Sequence, residues 1–275
     1  MKKYISILLL FTMVSCLFYD REKIVDKHRL LGYDYRLFQS TPAWDLAKAV
    51  QDEDVSKMRG ILCKEPKLIN YQEAKYGETL LLMTILNQDY KSFKELLNNG
   101  ADVNVYDNYD GSSAIITACK WDSGIEYVKK LIEYGANVND VEVGKRRTGN
   151  SVRLTPLIAA SISGNLEVVK YLVEKGADIN YRNEYFQTAL SESVILDNYD
   201  VAYYLLKKGA NYRLPIMYRF DYSIPSDKID PNEKGTPIYL DSFLKEQQAD
   251  PGIFQKVYKR KILSFLKKKH FKSPH

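Results

Sequence analysis

TPLIAASISGNLEVVKYLVEKGADIN, residues 155–180, contains two short helix patterns in succession. Thr155 can accept a hydrogen bond at a helix start, and Pro156 is tolerated next because its missing N–H would have no partner within the helix. Gly164 separates this apolar helix from a second one, in which apolar residues return at helical spacing, and Gly176 can end it in the left-handed conformation. Two helices this short cannot bury both apolar faces against each other. The stretch therefore predicts further copies to pack on.

Further copies of the pattern occur on both sides. Three good copies lie at 77–104, 111–139 and 187–211. A Gly-Ala pair follows each second helix, and its glycines are 35, 41 and 33 residues apart, at Gly100, Gly135, Gly176 and Gly209. Weaker copies lie at 41–70 and 235–271. End repeats of a stack are expected to be atypical, because one face of each must meet water.

A period near 33 residues, with TPL opening the first helix and GAD.N following the second, resembles the ankyrin repeat. The resemblance implies an all-α solenoid of about six helix-turn-helix repeats joined by hairpin-like finger loops. The expected domain spans 41–271, with repeats near 41–70, 77–104, 111–139, 153–180, 187–211 and a degenerate last repeat at 235–271.

The sequence departs from the family at the His of TPLH, which in the family ties neighbouring turns together. That place holds Leu82, Ile116, Ile158, Ser191 and Tyr239. The fold is not affected by this change, but the rigidity of the turns is left open.

The N-terminus has the layout of a secretory signal peptide. Two lysines precede an apolar run at 4–14, and a small residue comes before Cys16. The tetrapeptide MVSC, ending at Cys16, resembles a bacterial lipobox, in which the Cys is lipidated after cleavage. We expect a signal peptide at 1–15, a lipidated Cys16 with a short linker over 16–40, and a chain anchored in the bacterial cell envelope, at the outer membrane or periplasmic face. An uncleaved anchor is the alternative, although the apolar run falls short of the about 20 residues of a spanning helix.

The charges of the chain are unevenly distributed. Residues 251–275 contain eight Lys or Arg and no acid, whereas residues 16–250 contain 30 basic and 35 acidic residues. The basic end is either a patch for anionic lipid or nucleic acid, or the solvated face of a capping helix. The second interpretation is favoured because the last helix of a solenoid needs a polar outer face, so no nucleic acid partner is expected.

Motifs for catalysis are missing from the sequence. The three histidines lie outside the four well-formed repeats, and there is no H-E-x-x-H, no paired Cys-x-x-Cys, no glycine-rich phosphate loop and no G-x-S-x-G. Cys119 is expected in the core, and Cys63 should not pair with it, because the two lie in different repeats about 20 Å apart. We expect a non-enzymatic chain without metal or cofactor.

In the ankyrin family, partners bind the fingers and the exposed side of each first helix. The fingers fall here at 71–77, 105–111, 141–153 and 181–187. Exposed Trp, Tyr and Arg most often supply interface energy, which gives the candidate partner-binding residues Tyr106, Tyr109, Lys120, Trp121, Ile162, Tyr181, Arg182 and Tyr185.

Two points about this surface remain open in the sequence. Trp121 either contacts a partner or covers a gap made by the extra residue in its loop. The third finger, with basic residues at 145–147, is either a flexible loop or a basic finger for an acidic partner. The insertion at 213–234 is expected to be an ordered arm over the last repeats, because it is too apolar for a linker.

The leading functional hypothesis is a monomeric, membrane-tethered scaffold that binds another protein in the bacterial envelope. A sharper form is an inhibitor or immunity-type binder that neutralises an enzyme. The alternative is an envelope-associated hydrolase, or a protein that binds anionic lipid through its basic C-terminal helix.

Overall fold

The computed structural model describes residues 21–144, 153–219, 235–246 and 252–269. Within these ranges twelve α-helices form six consecutive pairs. The pairs are α1 Trp44–Gln51 with α2 Val55–Lys64, α3 Leu80–Leu86 with α4 Tyr90–Asn98, α5 Ala114–Lys120 with α6 Ile125–Glu133, α7 Pro156–Ser163 with α8 Leu166–Glu174, α9 Ala189–Ile195 with α10 Tyr199–Lys207, and α11 Leu240–Glu246 with α12 Gly252–Lys268. Short 3-10 helices lie at Lys27–Arg29, Tyr35–Phe38 and Pro66–Asn70.

The helix pairs stack on one another. The first helices α1, α3, α5, α7 and α9 pack on one another in succession. Each second helix likewise contacts a second helix of an adjoining repeat. The buried side chains form one continuous core that runs from Leu30 to Leu266. This arrangement confirms the expected all-α solenoid of helix-turn-helix repeats. Each repeat buries its apolar faces against its neighbours, as short helices require.

Side chains at the first-helix starts act as the sequence predicts. The hydroxyl oxygens of Thr79 and Thr155 each accept a hydrogen bond from a backbone N–H three residues on, at 3.2 Å. Thr188 does the same at 3.0 Å. Ser113 stands at the equivalent position of the third repeat but makes no such bond. These caps satisfy N–H groups that have no partner within a helix.

A left-handed residue follows each first helix of repeats one to five. It is Gly164 in the fourth repeat, with φ of 75°, and a residue with a side chain in the others, namely Glu53, Gln88, Asp122 and Asp197. The left-handed conformation costs a residue with a Cβ roughly 1–2 kcal/mol. The first, second, third and fifth repeats therefore carry backbone strain, which Gly164 avoids in the fourth repeat.

Gln88→Gly should raise the free energy of unfolding by about 0.5–1 kcal/mol, because relief of the left-handed strain exceeds the extra backbone entropy of glycine. Gln88 is exposed, with φ of 61°. Urea unfolding measures the effect, with Gln88→Ala as the matched control. The alanine keeps its Cβ and should change stability little. A stabilising alanine variant would show that the side chain, rather than the backbone, is responsible.

Residues 21–40 were expected to belong to a linker, and this is wrong for the described part. They form a cap on the first repeat, in which Leu37 and Phe38 are fully buried. The Gln39 amide donates to the carbonyl oxygens of Arg21 and Lys23, at 2.6 and 3.0 Å. The apolar residues of this segment cover the core face that α1 would otherwise expose to water.

The insertion at 213–234 is described only to residue 219. Strand β1, Met217–Arg219, pairs antiparallel with β2, Thr236–Ile238. The Tyr218 ring packs against Phe186 of the fourth finger, with centroids 5.3 Å apart. The described start of the insertion thus contacts the fourth finger, and residues 220–234 lie outside the described residues.

Cys119 is buried in the core, as expected, and Cys63 is exposed; neither is in a disulfide. Across the described parts of the chain, no helix combines the length and the apolar character needed to cross a bilayer. The predicted signal peptide and Cys16 lie outside the described residues, as do 145–152 of the third finger.

Candidate functional site

Each finger is built around one polar side chain near its start. The Asp107 carboxylate accepts hydrogen bonds from the backbone N–H groups of Tyr109, Asp110, Gly111 and Ser112, at 2.7 to 3.1 Å. Glu73 and Asn183 bind the N–H groups of their own fingers in the same way. Glu142 accepts from the N–H of Leu154 across the third finger. These buried side chains hold the turns in one conformation.

The sequence interpretation missed these finger-organising residues. Their signal was present, since Glu73, Asp107, Glu142 and Asn183 are 34, 35 and 41 residues apart. That spacing follows the repeat period, whereas the position of a carboxylate that serves only solubility need not follow it.

Neighbouring fingers are tied together by backbone hydrogen bonds. The N–H of Asn108 donates to the carbonyl oxygen of Tyr76 at 2.6 Å, and the N–H of Val143 donates to that of Gly111 at 3.0 Å. The φ of Gly111 is +69°, and a Cβ there would lie 1.8 Å from the backbone nitrogen of Gly144. These contacts link the first three fingers without the family's histidine.

Lys120 bridges the second and third fingers. Its Nζ lies 2.6 Å from a carboxylate oxygen of Asp110 and 3.0 Å from one of Glu142. Burial alone would lower the pKa of Lys120, but the two carboxylates outweigh it and raise that pKa above its ordinary value. Lys120 was expected to contact a partner. The structure instead places its ammonium in an internal ion-pair network, because two carboxylates are within its reach.

Glu78 lies beside this network without a partner for one oxygen. Its Oε2 atom is buried and accepts no hydrogen bond from the described residues. Burial raises the pKa of Glu78 well above its ordinary value, and the negative charges of Asp107 and Glu73 raise it further. The folded protein therefore holds a proton on Glu78 more tightly than the unfolded chain does.

Glu78→Gln should stabilise the protein at neutral pH and lose this effect in acid. Below the ordinary pKa of 4.5, Glu78 is protonated in both states and contributes no difference. Above pH 4.5 the unfolded chain is stabilised by ionisation of Glu78, whereas the folded site keeps Glu78 protonated up to its raised pKa. The wild type therefore becomes less stable than the variant as the pH rises from 4.5 through the folded pKa. Urea unfolding of both proteins across this range measures the difference. The exposed Glu133→Gln serves as control, and a gain independent of pH would contradict the assignment.

The structure places three of the predicted contact residues on the surface. The side chain of Trp121 is 63% exposed, so it does not cover a gap in its loop. Tyr109 and Tyr185, at the tips of the second and fourth fingers, are each 46% exposed. Trp121 directly follows Lys120, whose ammonium binds the residue next to Tyr109. The bridge therefore joins the helix end that carries Trp121 to the finger that carries Tyr109.

The remaining predicted contact residues are partly buried and contact other residues of the chain. The Tyr106 hydroxyl donates to Asp140 at 2.8 Å, and this bond, with burial, raises the pKa of Tyr106 to about 12. The Arg182 guanidinium stacks on the Phe186 ring, 4.3 Å from its centroid. Ile162 and Tyr181 pack on the core.

Leu196 is a further surface residue that the sequence interpretation missed. It is 47% exposed and directly follows the first helix of the fifth repeat, as Trp121 follows that of the third. Both residues come just before the left-handed residue, a position that the repeat pattern marks. The candidate interaction surface therefore consists of Tyr109, Trp121, Tyr185 and Leu196, and we call it the finger surface.

Comparison with known proteins agrees with this architecture. The family model of ankyrin repeats (3 copies) matches residues 46–142 and 142–215, more than half of the chain. An ankyrin repeat protein of Acanthamoeba polyphaga mimivirus is 36% identical over 107 residues, which are 39% of this chain and 57% of that protein.

Two other relatives match shorter shares of their own length. An ankyrin repeat protein of fowlpox virus (strain NVSL) is 30% identical over 121 residues, 44% of this chain and 34% of that protein. Human protein phosphatase 1 regulatory subunit 27 is 44% identical over 82 residues, 30% of this chain and 51% of that protein. The chain thus spans less than two thirds of each. Because the family model covers more than half of the chain, the chain belongs to the ankyrin repeat family.

Proposed function

We propose that this chain is a non-enzymatic scaffold that binds another protein through its finger surface. The observation that carries the proposal is the exposure of Trp121 beside fingers that are held by buried carboxylates. A large exposed aromatic side chain on a rigid support can bury apolar area on binding, at little cost in conformational entropy. Ankyrin repeats are modules for binding proteins, so a protein partner fits both the fold and the surface.

Trp121→Ala, Tyr109→Ala and Tyr185→Ala should each weaken binding by roughly 1–4 kcal/mol, mainly through faster dissociation. The partner would first be captured from detergent-solubilised membranes and then titrated against each purified variant. Tyr134→Ala is the matched control, because Tyr134 is also 41% exposed but follows the second helix of its repeat. If Tyr134→Ala weakens binding while the three finger-surface variants do not, the partner binds elsewhere.

We further propose that the scaffold is tethered to the bacterial envelope by a lipid on Cys16. Support comes from the MVSC tetrapeptide after the apolar run. The relatives reported above are viral and animal and lend nothing to this part. With a lipid on Cys16, only residues 17–20 would separate the lipid from the cap that begins at Arg21.

Mass spectrometry of the N-terminal peptide from membrane-purified protein tests the tether. We expect a chain that begins at a diacylated Cys16. An intact Met1, or a cleaved chain with an unmodified Cys16, would refute it. Cys16→Ser should abolish the lipid modification but leave the affinity for the partner unchanged, which separates the tether from the binding surface.

A sharper form of the proposal is that the bound partner is an enzyme, which the scaffold inhibits or neutralises. Its support is one relative that is a phosphatase regulatory subunit by name, together with a surface suited to another folded protein. Once the partner is captured, its activity with and without the purified scaffold decides the point. Full partner activity in the saturated complex would rule out inhibition.

A further inference from the structure

A hollow of about 540 Å³ lies where the end of α10 and the loop after it meet the last turns of α12. Three cationic side chains line it, Lys207 from α10, Arg213 from the loop and Lys269 directly after α12. None of its described lining residues is acidic. The hollow is far along the chain from the finger surface and plays no part in the function proposed above.

The cations of this hollow differ from those cations of the repeat body that are held in ion pairs. Arg59 pairs with Glu95, and Lys120 pairs with Asp110 and Glu142. Among the described residues no carboxylate forms an ion pair with Lys207, Arg213 or Lys269. Like charges that converge without a counterion repel one another, so an anion in the hollow would relieve this repulsion.

The wall of the hollow also contains an aromatic pair. The rings of Tyr212 and Phe265 meet edge to face, with centroids 5.9 Å apart, and the Lys269 ammonium lies 6.0 Å from the Phe265 centroid. The hollow thus combines three positive charges with apolar ring surface. A ligand that is anionic at one end and apolar beyond it matches both features.

The surroundings of the hollow favour a lipid source for this anion. Helix α12 also exposes Arg260, Lys267 and Lys268, of which the last two directly precede Lys269. Towards its other end α12 exposes the apolar side chains of Phe254 and Val257, 61% and 46% accessible. A helix that exposes both cations and apolar groups is suited to the surface of an anionic bilayer.

We propose that this hollow binds the phosphate of an anionic phospholipid headgroup. Lys207, Arg213 and Lys269 neutralise the phosphate, while Tyr212 and Phe265 contact the glycerol part of the lipid. This site would give the last repeat a membrane contact that is independent of the lipid proposed on Cys16.

Vesicle flotation tests the proposal with the full chain carrying Cys16→Ser, so that every variant contains the same unlipidated N-terminus. The probes are vesicles of phosphatidylcholine with about a third phosphatidylglycerol, and vesicles of phosphatidylcholine alone. The first variant replaces Lys207, Arg213 and Lys269 by Gln. The matched variant removes the same charge by replacing Arg260, Lys267 and Lys268 by Gln, which are exposed on α12 and do not line the hollow.

We expect a clear preference for the phosphatidylglycerol vesicles, and a hollow variant that binds them at least about tenfold more weakly than the matched variant does. Lys207→Arg with Lys269→Arg should retain binding, since the charges remain.

Equal losses in the two charge-removing variants would overturn the proposal in favour of diffuse attraction. Equal binding to both kinds of vesicle would overturn it as well. Inorganic phosphate at constant ionic strength should compete only weakly for vesicle binding, and complete displacement of the vesicles by inorganic phosphate would refute the lipid source. Unchanged thermal unfolding of each variant verifies that it is folded.

Discussion

Leu172→Ala should lower the free energy of unfolding by about 2–5 kcal/mol. Leu172 is fully buried in α8, and α8 contacts the second helices of both neighbouring repeats. Removal of its side chain leaves a cavity between three repeats and weakens two interfaces at once. Because a repeat array is stabilised by its nearest-neighbour interfaces, the loss should propagate to the whole stack.

Lys175→Ala is the control for this experiment. Lys175 follows α8, and its exposed side chain lies over the Tyr171 ring, 5.4 Å from its centroid. The alanine variant should change stability by less than about 0.5 kcal/mol. Urea unfolding of both variants provides the comparison, and equal midpoints would show that the core register described here is incorrect.

Lys120→Met should lower the free energy of unfolding by about 3–5 kcal/mol, because it leaves the carboxylates of Asp110 and Glu142 without their shared cation. Glu142 is almost completely buried. Its charge would then face Asp110 with little solvent to screen the repulsion. The methionine keeps most of the volume of the lysine side chain, so the loss reports on charge rather than on packing.

Two comparisons separate this effect from a general cost of substitution. Lys170→Met, at an exposed position of α8, should leave stability almost unchanged. Lys120→Met combined with Asp110→Asn and Glu142→Gln should recover part of the loss, since no charge is then left unpaired. A combined variant that is less stable than Lys120→Met alone would contradict the bridge.

The pH dependence of this bridge follows from the raised pKa of Lys120. Since the folded pKa lies above the ordinary value of 10.5, the contribution of the bridge is fully present below pH 10.5. It is lost only as the pH rises through the folded pKa. The stability difference between wild type and Lys120→Met should therefore be the same at pH 7 and 9, and a difference that falls within this range would point to another titrating group.

Contacts between nearby residues made much of the fold predictable from the sequence. Thr155 caps α7 through a bond to a residue three positions on, and Gly176 takes a left-handed φ of 92° directly after the second helix. Such contacts depend only on residues that the chain already holds close together. The repeat period then supplies the long-range order, because identical units must stack in the same way.

The finger surface was predictable in part. The family pattern indicated the positions of Tyr109, Trp121 and Tyr185, but whether Trp121 is exposed depended on how its neighbours pack. Lys120 looked equivalent to Trp121 in the sequence, since both end the same helix. Its flexible side chain instead turns towards Glu142, which is 22 residues away in sequence.

The sequence by itself determined the repeat architecture, the helix boundaries near their caps, and the concentration of positive charge at the C-terminal end. Only the tertiary structure decided that residues 21–40 cap the first repeat, that Lys120 is internal, and that Lys207 and Lys269 line one hollow. The physical reason is distance along the chain. Lys207 and Lys269 are 62 residues apart in the sequence, and only the packing of α12 on α10 brings them together.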